Sequence, residues 1–232
     1  GQMLATVLQY LKQQDMIGMT TKHLADLAAS ELKKLGGKPA FLGYGGFPDV
    51  ICISLNAEVV HGIPGDEIIQ DGDLVSLDFG VNYNKMITDA AITVVAGESS
   101  GAKRRLLKGT EESLLAGIGA VKDGVRTGDI GAAVEKVLTQ YGFGIVRDLV
   151  GHGVGHEVHE EPDIPNYGIA GTGKKLSTGM TIAIEPMSTL GNDRVILDND
   201  GWTIRTYDGS LSAHFEHTIL ITSDSAEILT IV

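Results

Sequence analysis

The sequence predicts an α+β fold in which two helix-helix-strand halves form a pseudo-two-fold arrangement around a central antiparallel sheet. Three observations lead there. Helix signals come in two pairs, one near the start of the chain and one just past residue 100. Each pair is followed by short β-type segments bounded by glycine, asparagine, aspartate or proline. No low-complexity stretch or long linker divides the 232 residues, so they are expected to form a single domain over 1–232.

Met3 to Gln14 reads as the first helix. Thr20-Thr21 can cap a second that runs through Lys34, with Gly36-Gly37 ending it. Strands are expected at Val50–Leu55, Leu74–Val81 and Met86–Val95, the last two joined by a turn-prone segment, Asn82-Tyr83-Asn84-Lys85. The pattern then repeats: a helix from Gly101 to about Val121, another after Thr127 through Gln140, and strands at Gly144–Leu149, Thr181–Ile184, Arg194–Leu197, Trp202–Tyr207, Phe215–Ile221 and Glu227–Val232.

Composition limits the function. A hydrophobic content of 43% is enough for a buried core. No apolar run approaches the ~20 residues of a membrane span, so no membrane association is expected. A net charge of −12 with no compensating basic run argues against nucleic acid as a partner. The single cysteine, Cys52, cannot form an internal disulfide, which suits a reducing cytoplasm.

The chemistry is carried by Asp78, Asp89, His152, Glu185 and Glu216. Four carboxylates and an imidazole facing one point would hold about two divalent cations, since oxygen and nitrogen ligands suit Zn, Mn, Co or Fe(II). If Asn82–Lys85 is the loop of a hairpin, Asp78 lies directly opposite Asp89 on one face, an unfavourable pairing unless a cation bridges it. The flanking Leu77, Phe79, Ala90 and Ala91 argue for an interior position over a solvated edge. His152 and His159 lie in Gly151-His152-Gly153-Val154-Gly155-His156-Glu157-Val158-His159, where alternate glycines allow close backbone approach in what reads as a loop. His156 reads as an ordinary polar group. Glu185 ends the strand Met180–Ile184 on the face of Thr181 and Ala183, and Pro186 ends or bulges that strand. His214, Glu216 and Thr218 share a face by the same alternation.

Read together, HGIPG (His61 to Gly65), DGDLVSLDFG (Asp71 to Gly80), TDAA (Thr88 to Ala91), GHGVGHEVHEEP, IAIEP and DGWTIRTYDGSLSAHFEHT resemble the type I methionine aminopeptidases in order and spacing, from about Gly43 to Ile221. The resemblance implies the pita-bread fold and a dinuclear centre of Co, Mn, Fe(II), Zn or Ni, held by Asp78, Asp89, His152, Glu185 and Glu216. It implies that His61 and His159 contact substrate, that Glu185 also shuttles the proton, and that Tyr44, Phe47, Cys52, His61 and Trp202 line a methionine pocket. The expected activity is removal of N-terminal methionine ahead of a small second residue, by a cytoplasmic monomer acting on nascent chains. Thr88 departs from the family's frequent glycine, which implies a slightly tighter hairpin face with the ligand kept. Phe47 departs from its frequent tyrosine and Val158 from its frequent bulky aromatic, so the pocket should be a little roomier or drier. Family members also carry further residues before the helix that Gly1-Gln2-Met3 enters here.

The ligand order is shared with Xaa-Pro aminopeptidases and prolidases, which usually carry an additional N-terminal domain. Type II methionine aminopeptidases carry a helical insertion for which Gly151 to Ile221 leaves no room. A non-catalytic peptide-binding relative would typically have lost ligands, and all five are present. No nucleophile elbow supports serine catalysis, and Cys52 lies in an apolar stretch.

Overall fold

The structure is a computed structural model and describes residues 1–232. The first half holds helices α1 (Gln2–Lys12) and α2 (Thr21–Leu35) and strands β1 (Lys38–Pro39), β2 (Cys52–Leu55), β3 (Glu58–Val60), β4 (Leu74–Tyr83) and β5 (Met86–Val95). The second holds α3 (Gly101–Gly119), α4 (Thr127–Tyr141), β6 (Gly144–Ile145), β7 (Gly151–Gly153), β8 (Glu160–Ile164), β9 (Thr181–Ile184), β10 (Met187–Thr189), β11 (Val195–Leu197), β12 (Ile204–Thr206), β13 (Ser212–His214), β14 (His217–Ile221) and β15 (Ala226–Ile228). An exposed connection around Gly97 and Glu98 carries the chain from one half to the other.

The helix ends follow their local chemistry. Thr20 accepts a hydrogen bond from the His23 amide at 3.1 Å and starts α2, and Gly36, at φ 83°, ends it in the left-handed region that glycine enters without strain. Ser100 caps α3 through the Lys103 amide at 3.2 Å. The cap of α4 is Arg126, whose amide donates to the Asp129 carboxylate at 2.9 Å. Each helix pair packs on its own half's strands. Leu4, Leu11, Leu24 and Leu32 cover Ile53, Leu77 and Phe79; Leu114, Ile130, Val134 and Leu138 cover Ile182, Ile184 and Ile219.

The hairpin of β4 and β5 differs from expectation in register. Its turn is Asn84-Lys85 alone, both with positive φ (51° and 66°), and Tyr83 pairs with Met86. A two-residue turn of that hand matches strand twist, so it displaces the longer four-residue loop. The result is that Asp78 faces Ala91 and Asp89 faces Gly80. The shift is by two residues, so both aspartates keep a common face as diagonal neighbours.

The two halves meet strand to strand. The amide of Ala91 donates to the Glu216 carbonyl at 3.3 Å and the Glu216 amide to the Ala91 carbonyl at 2.9 Å. On one side of that rung, Thr218 Oγ1 accepts from the Asp89 amide at 2.8 Å and donates to the Asp89 carbonyl at 2.7 Å. On the other, Thr93 Oγ1 accepts from the His214 amide at 2.9 Å and donates to the His214 carbonyl at 2.8 Å. Beyond this seam, β14 pairs with β9 (His217 opposite Ile184) and β13 with β10 (His214 opposite Met187) in one continuing register. That register carries Glu185 past Glu216 as Asp78 passes Ala91. A local two-fold through the seam therefore relates Asp78 to Glu185, Ala91 to Glu216 and Asp89 to His214.

Several strands are shorter than the apolar runs suggest, or lie elsewhere. The run expected over Phe215–Ile221 is broken, with β13 before Phe215 and β14 after Glu216, and the one expected over Gly144–Leu149 keeps only two paired residues. His152 lies in a short strand and not a loop: β7 is clamped between β9 and β8. A Cβ on Gly151 would come within 2.4 Å of the Ala183 carbonyl oxygen, and one on Gly153 within 2.4 Å of that of Glu161. Glycine is required there by contact and not by dihedral angle.

Candidate metal centre

Asp78 and Asp89 project from the hairpin, Glu216 from the break between β13 and β14, Glu185 from the end of β9 before Pro186, and His152 from β7. All five line one cavity together with His61, His159, Tyr44, Phe47, Cys52 and Trp202, so every residue singled out by sequence reaches the same place. Phe41 and Val158 complete the wall. The cavity measures about 80 Å³. At ~10–15 Å³ per water-sized probe, that is room for several water molecules between the ligand cluster and the apolar wall.

One ligand atom each from Asp89, His152 and Glu216 lie within 4.8 Å of one another. His152 Nε2 is 3.4 Å from Glu185 Oε1, and its Nδ1 sits 2.9 Å from the Gly153 carbonyl. That contact assigns the proton to Nδ1 and turns Nε2, as a lone pair, into the site.

Burial dominates the electrostatics. It pushes the carboxyls of Asp78, Glu185 and Glu216 well above their usual range, with the charge of Asp89 adding to each. Asp89 itself is raised to about 7 by burial, within hydrogen-bonding reach of Asp78. Burial, with the nearby His159 adding to it, lowers His152 and His61 to about 4. Four carboxylates that resist ionising together are what a divalent cation neutralises. The hydrogen bonding supports the fit. Asp78 Oδ1, Asp89 Oδ1 and Glu216 Oε1 are buried without a partner, although buried polar atoms are ordinarily satisfied. The residues present suit hard or borderline divalent metal ions.

The substrate side is built from aromatic and imidazole groups. Tyr44 Oη lies 2.9 Å from His159 Nδ1, and the His159 ring centre is 4.2 Å from that of His152. Trp202 meets Phe47 edge-on at 5.2 Å and His61 at 6.4 Å. His61 takes a left-handed backbone (φ 60°), a conformation that costs a non-glycine residue roughly 1–3 kcal/mol and persists where surrounding structure holds it. Cys52, opposite Asp78 on β2, is buried, and burial raises its thiol well above the ordinary value, so it offers a neutral wall atom and not a nucleophile. His156 is exposed and outside the cavity. Two residues of the site escaped the sequence reading. Phe41 stands in Pro39-Ala40-Phe41-Leu42 with no local signal. His214 is 1% exposed, with its Nε2 3.5 Å from Glu185 Oε2 and 3.9 Å from Glu216 Oε2. The alternation of His214 with Glu216 was its one visible clue.

Fold and site define a metal-dependent hydrolase with an apolar wall beside its ligand cluster. The model of "Metallopeptidase family M24" matches residues 1–223, and the chain belongs to that family. A methionine aminopeptidase of Clostridium perfringens is 44% identical over 232 residues, covering 100% of this chain and 93% of its own. Methionine aminopeptidase 1 of Bacillus subtilis is 43% identical over 230 residues, with 99% and 93% covered. The crystal structure of a methionine aminopeptidase from Thermotoga maritima superposes with a TM-score of 0.97 at 45% identity, covering 100% of this chain and 93% of that one. A prolidase from Pyrococcus furiosus superposes with 0.80 at 25% identity, and this chain spans 61% of it. These likenesses bear out the pita-bread α+β architecture expected from the sequence.

Proposed function

We propose that this chain removes the N-terminal methionine from nascent proteins and peptides whose second residue is small, by hydrolysis at a dinuclear metal centre. The observation that carries the reading is the shared cavity: Asp78, Asp89, His152, Glu185 and Glu216 on one side, and the apolar wall of Tyr44, Phe47, Cys52 and Trp202 on the other. When bound by those five residues, two divalent ions, from among Co, Mn, Fe(II), Zn and Ni, supply a water of lowered pKa and positive charge for a developing oxyanion.

The rest falls to the chain's own groups. The substrate's free α-amine would be held at the metal-binding end of the cavity, which restricts cleavage to the terminal residue. Glu185, beside His152, takes a proton from the attacking water and returns it to the leaving amine. His61 and His159 hydrogen-bond the scissile carbonyl and nitrogen, and Tyr44 orients the His159 ring through Nδ1. The wall offers sulfur–aromatic contacts worth about 0.3–1.5 kcal/mol each to an unbranched thioether. Crowding by His61 and His159 restricts the second residue. We further propose that residues 1–232 act as one domain and as a monomer, with both halves contributing to the one cavity. The cytoplasm is the compartment that a lone buried thiol suits. The net charge of −12 disfavours nucleic acid.

The test is turnover by the metal-loaded protein. Met-Ala-Ser should be cleaved far faster than Met-Leu or Met-Lys peptides. Leucine or alanine at the first position should lose roughly 10–200-fold per missing or misplaced methylene, with norleucine the closest substitute. Equal rates on Xaa-Pro peptides with other first residues would move the chain to the prolidase reading, which the likeness to the Pyrococcus furiosus enzyme keeps as the alternative.

A further inference from the structure

We propose that His214 is a positioning residue for Glu185: a neutral imidazole that donates Nε2–H to Glu185 Oε2 and so fixes which oxygen of that carboxylate handles the proton. The inference rests on the aminopeptidase reading and adds to it a residue outside the five metal ligands.

Three observations converge. His214 is 1% exposed, and neither of its ring nitrogens has a hydrogen-bond partner, which buried polar groups rarely tolerate. Its Nε2 is aimed into the acidic cluster, 3.5 Å from Glu185 Oε2 and 3.9 Å from Glu216 Oε2, so a shift of a few tenths of an ångström completes the bond to Glu185. Thr93 Oγ1 holds the His214 backbone from both sides, at 2.9 Å from its amide and 2.8 Å from its carbonyl, so the ring has a fixed origin. The seam's local two-fold places His214 where the first half has Asp89. The second half thus presents a donor where the first presents an acid.

The consequence for Glu185 is an ordered pair of oxygens. Oε1 lies 3.4 Å from His152 Nε2 and Oε2 lies 3.5 Å from His214 Nε2, so each oxygen has its own imidazole. A donor on Oε2 leaves Oε1, on the His152 side, as the atom free to accept and release a proton. It also compensates part of the negative charge that burial makes costly.

The test compares His214→Leu, His214→Gln and His214→Asn as folded proteins, with calorimetric titration of Mn(II) into metal-free protein beside steady-state kinetics on Met-Ala-Ser. Removal of the donor by leucine should lower kcat and weaken Mn(II) binding by roughly 10–100-fold each, as loss of a carboxylate's outer partner does. KM and the number of ions bound should stay unchanged. Glutamine, whose amide reaches as far, should restore both to within about threefold, and the shorter asparagine should not. Wild-type behaviour of the leucine variant, loss of one ion from the stoichiometry, or equal behaviour of glutamine and asparagine would overturn the proposal. Where the leucine variant does not fold, the glutamine and asparagine pair decides. Failure of the wild type on Met-Ala-Ser would instead count against the aminopeptidase reading, and the Mn(II) titrations would still report on His214.

Discussion

His159 illustrates how much one contact assigns. Its Nδ1 is engaged by Tyr44 at 2.9 Å, leaving Nε2 to face the cavity. Replacing it with alanine should lower turnover by about 10²–10⁴-fold, the range for a lost acid-base or hydrogen-bonding group, and leave the bound metal per chain near wild type. Loss of metal on that substitution, measured by elemental analysis, would show that the ring is a ligand. Residue identity was the most legible level of this chain, because imidazoles and carboxylates inside glycine-rich or apolar contexts stand out. Phe41 was not legible. Its role comes from packing over Gly80, where an added Cβ would lie 2.5 Å from the Phe41 ring, and nothing near Phe41 in sequence announces that. His214 was half-legible: alternation placed it beside Glu216, but only the tertiary seam brings it against Glu185.

At the scale of elements, strand existence could be read from apolar runs and pairing could not. Leu74–Tyr83 and Met86–Val95 match the expected runs closely, yet the Asn84-Lys85 turn moved their register by two. The two-residue step preserved the face and hence the site. A one-residue error would have sent Asp89 away from it. The seam was invisible in advance, since Thr93 and Thr218 look like ordinary β-formers and act as hydrogen-bond relays between halves. Thr218→Val keeps the shape and removes the relay, leaving the Asp89 amide and carbonyl unpaired in a fully buried setting. At about 1–3 kcal/mol for each of the two groups, the loss should total about 2–6 kcal/mol, read as a lower melting temperature. Metal affinity should fall with it, because Asp89 loses its fixed backbone. A melting temperature and metal affinity equal to wild type would show that the seam does not hold Asp89.

For the molecule as a whole, metal loading is coupled to protons. Between the ordinary carboxylate range near pH 4 and the raised value of about 7 for Asp89, the folded metal-free chain holds protons that the unfolded chain has released. Stability of the metal-free protein from this cluster therefore falls as pH rises through that window. A divalent cation expels those protons, so calorimetric titration at about pH 6 in buffers of different ionisation enthalpy should report net proton release. Release that is absent at pH 6 would contradict the buried, protonated cluster. The pseudo-symmetry was legible from the doubled helix pairs. What crosses between the halves was not, because it depends on which strands become neighbours. One further result follows from the exposed crossing at Gly97 and Glu98. Asp78 and Asp89 lie on one side of it and His152, Glu185 and Glu216 on the other. A single proteolytic cut there would turn the protein into two fragments held by a bimolecular equilibrium, with the metal as their shared ligand. The nicked pair should co-elute when loaded and separate on dilution with a chelator, since a ligand that binds only the associated form raises its apparent affinity with concentration. Catalysis would then report on an assembly, and the covalent linker would act chiefly by setting a high local concentration of one half around the other.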